Sequence, residues 1–343
     1  MIQACRRLFV TVFIVLFIVP VLKASEQKAE EEGAPINVVG TVSNHHELEY
    51  PGGHLALPRI FLVNGKWYFY GSTESAIESG KFTESEGALA PADGSKITLD
   101  MSITSHLIYV WLSVIITLII TFVMVGRYKR GEGRKTEPRG WFQNMFESVF
   151  IFIRDDIAKN NIPEDEYRKF VPYLFSVFVV ISFMNLFSLV PWGATATADI
   201  TVTATLAGIT FFITQWNGSK DHWNHVFWFP GVPGWIHIVL TPIEIIGLFT
   251  KPFALAVRLF ANMLSGKIMI ICIIGLIFVF AEIFGVVAGW ITSVFAIPLT
   301  VALFVLKAFV SLLQAYIFTL LSAVFIGMAS EEHEHEETIE AHA

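Results

Sequence analysis

GWIHIVLTPIEIIGLFTKPFALAVRLFANMLSGKIMIICIIGLIFVFAEIF runs from Gly234 to Phe284 and carries five charged side chains in 51 positions. A straight helix crosses a bilayer core with about 20 apolar residues. The stretch is therefore either two spans or one long, strongly tilted helix. Val286 to Ser330 poses the same choice. A pair of spans needs a turn signal at its middle. Pro252 and Gly266 interrupt the first stretch, but the second has only Pro298, near its start. Long tilted helices are the expectation for both.

The surrounding chain has the same character. Of the 343 residues, 54% are hydrophobic and 15% charged, against about 25% charged in ordinary soluble domains. From Phe170 to Ala329 only nine Asp, Glu, Lys or Arg residues occur in 160 positions. This excludes a soluble enzyme and a disordered chain and calls for a multi-span membrane protein. The net charge of −7 gives no basic footprint for nucleic acid. The two cysteines, Cys5 and Cys272, support neither a disulfide framework nor a thiolate metal site.

Ser105 to Gly126 reads as a transmembrane helix. The cluster Arg127, Lys129, Arg130, Arg134, Lys135 and Arg139 directly after it belongs on the cytoplasmic side. Between Pro138 and Lys159, Trp141, Met145, Val149 and Ile153 recur every four residues, with Gln143, Asn144, Glu147 and Arg154 between them. That pattern predicts an amphipathic helix lying along the cytoplasmic interface. Phe170 to Val190 then crosses outward, Pro191-Trp192-Gly193 turns, and Asp199 to about Trp216 returns. Asn217 to Pro233 is expected to be cytoplasmic. With the two long helices this makes about five crossings and a cytoplasmic C-terminus.

Residues 1–24 read as a secretory signal peptide: Arg6 and Arg7, an apolar run from Leu8 to Val19, then Ala24 and Ser25. Leu22 at the −3 position fits cleavage poorly, and an uncleaved anchor is the rival reading. Residues 25–100 are polar, acidic and rich in turn residues. Here Ile60 to Val63, Asn64-Gly65 and Lys66 to Tyr70 spell a tight β-hairpin. The signal places this segment outside the cytoplasm, ahead of a membrane domain at 101–330 and an acidic cytoplasmic tail at 331–343. The histidines at 45, 46, 54, 222, 225, 333, 335 and 342 show no metal-ligand spacing. No metal or cofactor is called for. The fold class is an all-α membrane protein with a small extracytoplasmic β-containing segment.

Two polar stripes run through the long helices. His237, Glu244, Lys251, Arg258 and Ser265 recur every seven residues, close to two helical turns. Asn262 joins that face, and Lys267 lies one turn further on. In the second helix Lys307, Ser311, Gln314 and Ser322 share one face. Each ionisable group at a span centre costs about 2.5–3.5 kcal/mol or more. Aligned stripes therefore imply that these faces meet each other, water or a polar partner. Snorkelling to an interface is the bland alternative for Lys251 and Lys307. It fits Arg258 poorly, since that residue lies mid-segment with no Asp or Glu within seven positions.

The stretches Thr241-Pro-Ile-Glu-Ile245 and Lys251-Pro-Phe-Ala-Leu-Ala-Val-Arg-Leu-Phe-Ala-Asn-Met-Leu-Ser-Gly266 resemble the signature of subunit a of F-type ATP synthases. So do Leu313-Gln-Ala-Tyr-Ile-Phe318, Ala329-Ser-Glu-Glu-His333, Asn185-Leu-Phe187 and Thr197-Ala-Asp-Ile-Thr201. The resemblance covers about residues 101–333. It implies a membrane stator facing a rotating c-ring whose subunits each carry a membrane carboxylate. Two aqueous half-channels end at that ring without meeting. Carried over by position, Arg258 matches the essential arginine, Asn262 and Gln314 its polar neighbours, and Glu244 an acidic channel group.

The chain departs from that pattern in one place. Family members usually carry an acid or histidine nine residues after the arginine, and a partner of the same kind seven before the glutamine. Here the positions hold Lys267 and Lys307. Two ammonium groups facing each other in a low-dielectric site cannot both stay charged cheaply. Asp199 and Glu282 are then the expected carboxylates of the outward half-channel, with His237, Asn185, Lys267 and Lys307 as further path candidates. The implied partners are the c-ring, a peripheral-stalk subunit b meeting the interfacial helix, and membrane lipid; the implied site is the bacterial inner membrane. Any ATP chemistry belongs to other subunits, since no phosphate loop or nucleophile elbow occurs. An ion-coupled transporter and a structural membrane anchor are the alternatives. The first is disfavoured by the lack of internal repeats; the second would tolerate Arg258→Lys.

Overall fold

The computed structural model describes residues 46–50, 53–85, 88–131, 140–190, 193–227 and 234–330. The expected signal peptide, Arg134, Lys135 and Arg139, the Pro191-Trp192 pair and the acidic tail lie outside the described residues.

The N-terminal part is built from β-hairpins. β1 (Glu47–Tyr50) pairs antiparallel with β2 (Gly53–Ala56), and β3 (Arg59–Val63) with β4 (Lys66–Tyr70). Asn64 and Gly65 join β3 to β4 with φ of 49° and 77°, the left-handed pair that a two-residue hairpin turn needs. A short helix, α1 (Thr73–Glu78), is capped by Ser72. Beyond it, β5 (Phe82–Ser85) pairs with β6 (Ala88–Pro91), and β7 (Ile97–Asp100) adds to the free edge of β3. Phe61, Phe82, Ala76 and Leu89 close a small core between these pieces. The expected hairpin is present, and β7 makes it a three-stranded sheet leading into the first long helix.

That helix is α2 (Ser105–Lys129), started by Thr104, whose hydroxyl accepts from the Leu107 amide at 3.4 Å. At 1.5 Å per residue it is roughly 37 Å long, enough to cross a bilayer core. α3 (Trp141–Phe152) runs into a π-helical turn, Ile153–Ala158, and a last helical piece, Lys159–Asn161. The expected apolar stripe divides here. Trp141 and Met145 point outward, whereas Ile153 is fully buried. Gln143 and Phe146 instead turn inward, with the Gln143 carbonyl oxygen accepting from Arg127 of α2 at 3.4 Å. The wide π turn then rotates Ile153 and Ile157 into the core.

α4 (Tyr167–Phe187) and α5 (Ile200–Trp216) follow, then a short α6 (Lys220–Phe227). α7 (Gly234–Phe284) and α8 (Val286–Ser330) are each one continuous helix, as expected, of 51 and 45 residues. Gly285 alone separates them, at φ 90°, a conformation that only glycine adopts without strain. α7 and α8 pack along each other; α8 also packs on α4, and α7 on α5. A straight α7 would measure roughly 75 Å. That far exceeds a hydrocarbon core of about 30 Å, so the helix must tilt or bend to follow the membrane. Among the described residues, four helices are long and apolar enough to cross a membrane, with α5 a shorter fifth.

Many hydroxyls inside this bundle are satisfied within their own helix. Ser113, Thr117, Thr205, Thr214, Thr319 and Ser322 each donate to the carbonyl four residues back, the usual way for hydroxyls to sit in an apolar helix. Gly327 of α8 lies so close to the Asn161 carbonyl that a Cβ there would collide with it.

Candidate functional site

The two stripes read from the sequence fall in different environments. On α8, Lys307, Ser311, Gln314 and Ser322 all face inward and are between 0% and 9% exposed. On α7, Ala254, Arg258, Ala261, Asn262, Ser265, Met269 and Cys272 form one continuous exposed face. Small residues flank Arg258 along it, which lets a partner helix come close to the guanidinium. Among the described residues no hydrogen-bond acceptor or carboxylate partners Arg258.

The stripes touch at one point. Asn262, one turn beyond Arg258, donates from Nδ2 to the Gln314 Oε1 at 2.7 Å. Gln314 is buried, and its Nε2 has no hydrogen-bond partner among the described residues. Such an unpaired buried donor costs about 1–3 kcal/mol. The pair fixes Asn262 beside Arg258 with an amide donor still unused.

A second cluster lies behind this face. Asn185 of α4, fully buried, donates to the Ser311 backbone oxygen at 2.9 Å and accepts from the Thr197 hydroxyl at 2.8 Å. Ser311 also points at the sulfur of Met263 on α7, 4.0 Å away. Lys307, one turn earlier on α8, lies across Gly266, where a Cβ would touch its Cδ and Cε at 3.6 Å. Lys267 is half-buried next along α7. Asp199 is the N-cap of α5: its Oδ1 accepts from the Thr201 amide at 2.9 Å. Its Oδ2 faces the imidazole Nδ1 of His106 at 3.5 Å, and both side chains are under 10% exposed.

The remaining expected site residues stand apart. Glu244 is half-buried nearer the start of α7, and Glu282 is exposed near its end, by the Gly285 turn. His237 lies in α7, with its side chain outside the described residues. Lys251 lines a small cavity with Gln215, His222 and Thr214, between α5, α7 and the start of α6. Sequence reasoning passed over His106. The signal available was a lone ionisable residue just inside an apolar helix, but its partner is 93 positions away.

The chain is similar to known proteins over most of its length. The family model described as ATP synthase A chain matches residues 107–327. Subunit a of ATP synthase from Chlorobium phaeobacteroides strain BS1 is 43% identical over 243 residues, covering 69% of this chain and 68% of that protein. The Myxococcus xanthus subunit a is 40% identical over 245 residues, covering 70% and 77%. That of Anaeromyxobacter sp. strain Fw109-5 is 37% identical over 312 residues, covering 87% and 72%, so the likeness there reaches into the N-terminal segment. With that match spanning every long apolar helix and the Arg258 face, this chain belongs to the ATP synthase A chain family.

Proposed function

We propose that the chain is the proton-translocating stator of an ATP synthase membrane sector, with Arg258 as the fixed charge at the rotor. The observation that carries this reading is Arg258 itself. It is a cation with no partner among the described residues, on an exposed face of small side chains, one turn from an amide held by Gln314. An arginine stays protonated at any working pH, so it cannot pass protons. It can attract an approaching ring carboxylate and favour its ionised form, which drives the proton off. The same charge repels a proton that would slip between two water-filled half-channels. Each proton crossing delivers about 2.3 kcal/mol per 100 mV, so several are needed per ATP.

Glu244 and the cavity at Lys251, His222 and Gln215 support a half-channel at the end of α7 near Gly234. The basic residues after α2 in the sequence support a cytoplasmic position for that end, with the β segment outside. Partners in this reading are the c-ring on the Arg258 face and a peripheral-stalk subunit b on α3, in a bacterial inner membrane. ATP is made and hydrolysed on other subunits. A Glu244→Cys variant in a Cys5→Ala, Cys272→Ala background tests the cytoplasmic half-channel. In inverted vesicles, a membrane-impermeant thiol reagent added outside is expected to label that position and to stop any pumping that remains. No labelling, or equal labelling from the vesicle interior, contradicts the assignment.

A further inference from the structure

Lys267 and Lys307 stand on the outer side of the proposed path where an acid or histidine is the usual proton carrier. The His106–Asp199 pair has the missing chemistry. Imidazole changes charge close to neutral pH, and this one is 3% exposed, at the end of α2 that follows directly from β7. Asp199 is held by its capping bond to Thr201, leaving Oδ2 directed at the His106 Nδ1 3.5 Å away.

From this pair a buried polar line leads inward. Thr197, two residues before Asp199, bonds to Asn185, and Asn185 to the Ser311 backbone. Thr197, Asn185 and Ser311 are each fully buried. Ser311 is one turn from Lys307 on one side and one turn from Gln314 on the other, so the line ends beside Asn262 and Arg258.

We infer that His106 is the proton-relay group of the outer half-channel, with Asp199 as its positioning residue. This rests on the stator reading above. The imidazole takes a proton from hydronium on the outer side, an O–H bond breaking as the N–H bond forms and water being left behind. The Asp199 carboxylate offsets the charge of the imidazolium while it lasts. The proton then leaves to water on the inner side, and the histidine is neutral again. During ATP-driven pumping the same steps run in reverse. A bland alternative exists: the pair merely staples α2 to the start of α5.

The test uses the whole complex in inverted vesicles, measuring ATP-driven acidification and ATP synthesis from an imposed gradient. His106→Gln keeps a hydrogen-bonding group of similar reach but cannot titrate. The relay predicts about 100-fold lower flux in both directions, the scale at which a positioned acid–base group contributes, with the subunit still assembled. In His106→Gly, added imidazole should restore flux in proportion to its concentration. Normal flux in His106→Gln overturns the relay. Loss of flux that imidazole fails to restore in His106→Gly, whether or not the subunit still assembles, assigns the pair to stapling and overturns it too. Arg258→Ala separates the two levels of the account. If that variant pumps normally the stator reading fails; if it is dead while His106→Gln pumps normally, only the relay fails.

Discussion

Replacing Arg258 with alanine is expected to abolish ATP-driven acidification of inverted vesicles while leaving the complex assembled. The residue is exposed and makes no hydrogen bond or ion pair among the described residues, so its removal opens no hole in the packing and strands no buried group. The loss should reach about 100-fold or more, the scale seen when a preorganised charge is taken from a reacting centre. Arg258→Lys should also fail, though less completely. An ammonium is a compact, strongly hydrated charge without the planar fork of guanidinium, and it can give up its proton in an apolar site. A simple membrane anchor would tolerate the lysine. The same alanine variant should leak protons passively, because the charge that separates the half-channels is gone. Pumping at the normal rate in Arg258→Ala would remove the basis of the stator reading.

The second large effect concerns the fold around the site. Asn185→Leu removes the donor to the Ser311 carbonyl and the acceptor for Thr197, both in the buried interior. The stranded Thr197 hydroxyl costs about 1–3 kcal/mol, and the lost bond to the Ser311 carbonyl, which keeps its helical partner, about 0.5–1.5 kcal/mol more, together about 1.5–4.5 kcal/mol. That is a large share of the 5–15 kcal/mol typical of a folded domain. The expected result is a marked fall in the amount of this subunit in isolated membranes and a lower thermal transition of the complex. Leu186→Ala, one position on but 38% exposed, should change neither by much. Equal levels of the two variants would show that the Asn185 bonds contribute little.

The two long helices were legible because each apolar run far exceeds one span and the second has only Pro298, near its start, to break it. The β3–β4 hairpin was legible because Asn64-Gly65 is a local signal. Contacts between distant helices were not. Asn185 and Ser311 lie 126 positions apart, and nothing local to either shows that they bond. His106 met Asp199 across 93 positions for the same reason. The inward turn of Gln143 was hidden because its partner, Arg127, sits on another helix and because a π turn shifts the face midway. The sequence also could not show that the α8 stripe points into the bundle while Arg258, Asn262 and Ser265 of the α7 stripe stay open. That difference depends on which helices cover each face, and it is what leaves Arg258 available to a partner.

In the stator reading, the open α7 face meets the rotor. Cross-linking tests it most directly in an otherwise cysteine-free complex, with one cysteine placed beside the ring subunit's membrane carboxylate. The second replaces either Ala261, exposed one turn from Arg258, or Ala256, 5% exposed and turned into the bundle. Mild oxidation should join the Ala261→Cys variant to the ring and stop ATP-driven pumping, with recovery after reduction, and should leave the Ala256→Cys variant free. No cross-link at Ala261, or an equal one at Ala256, would contradict the account.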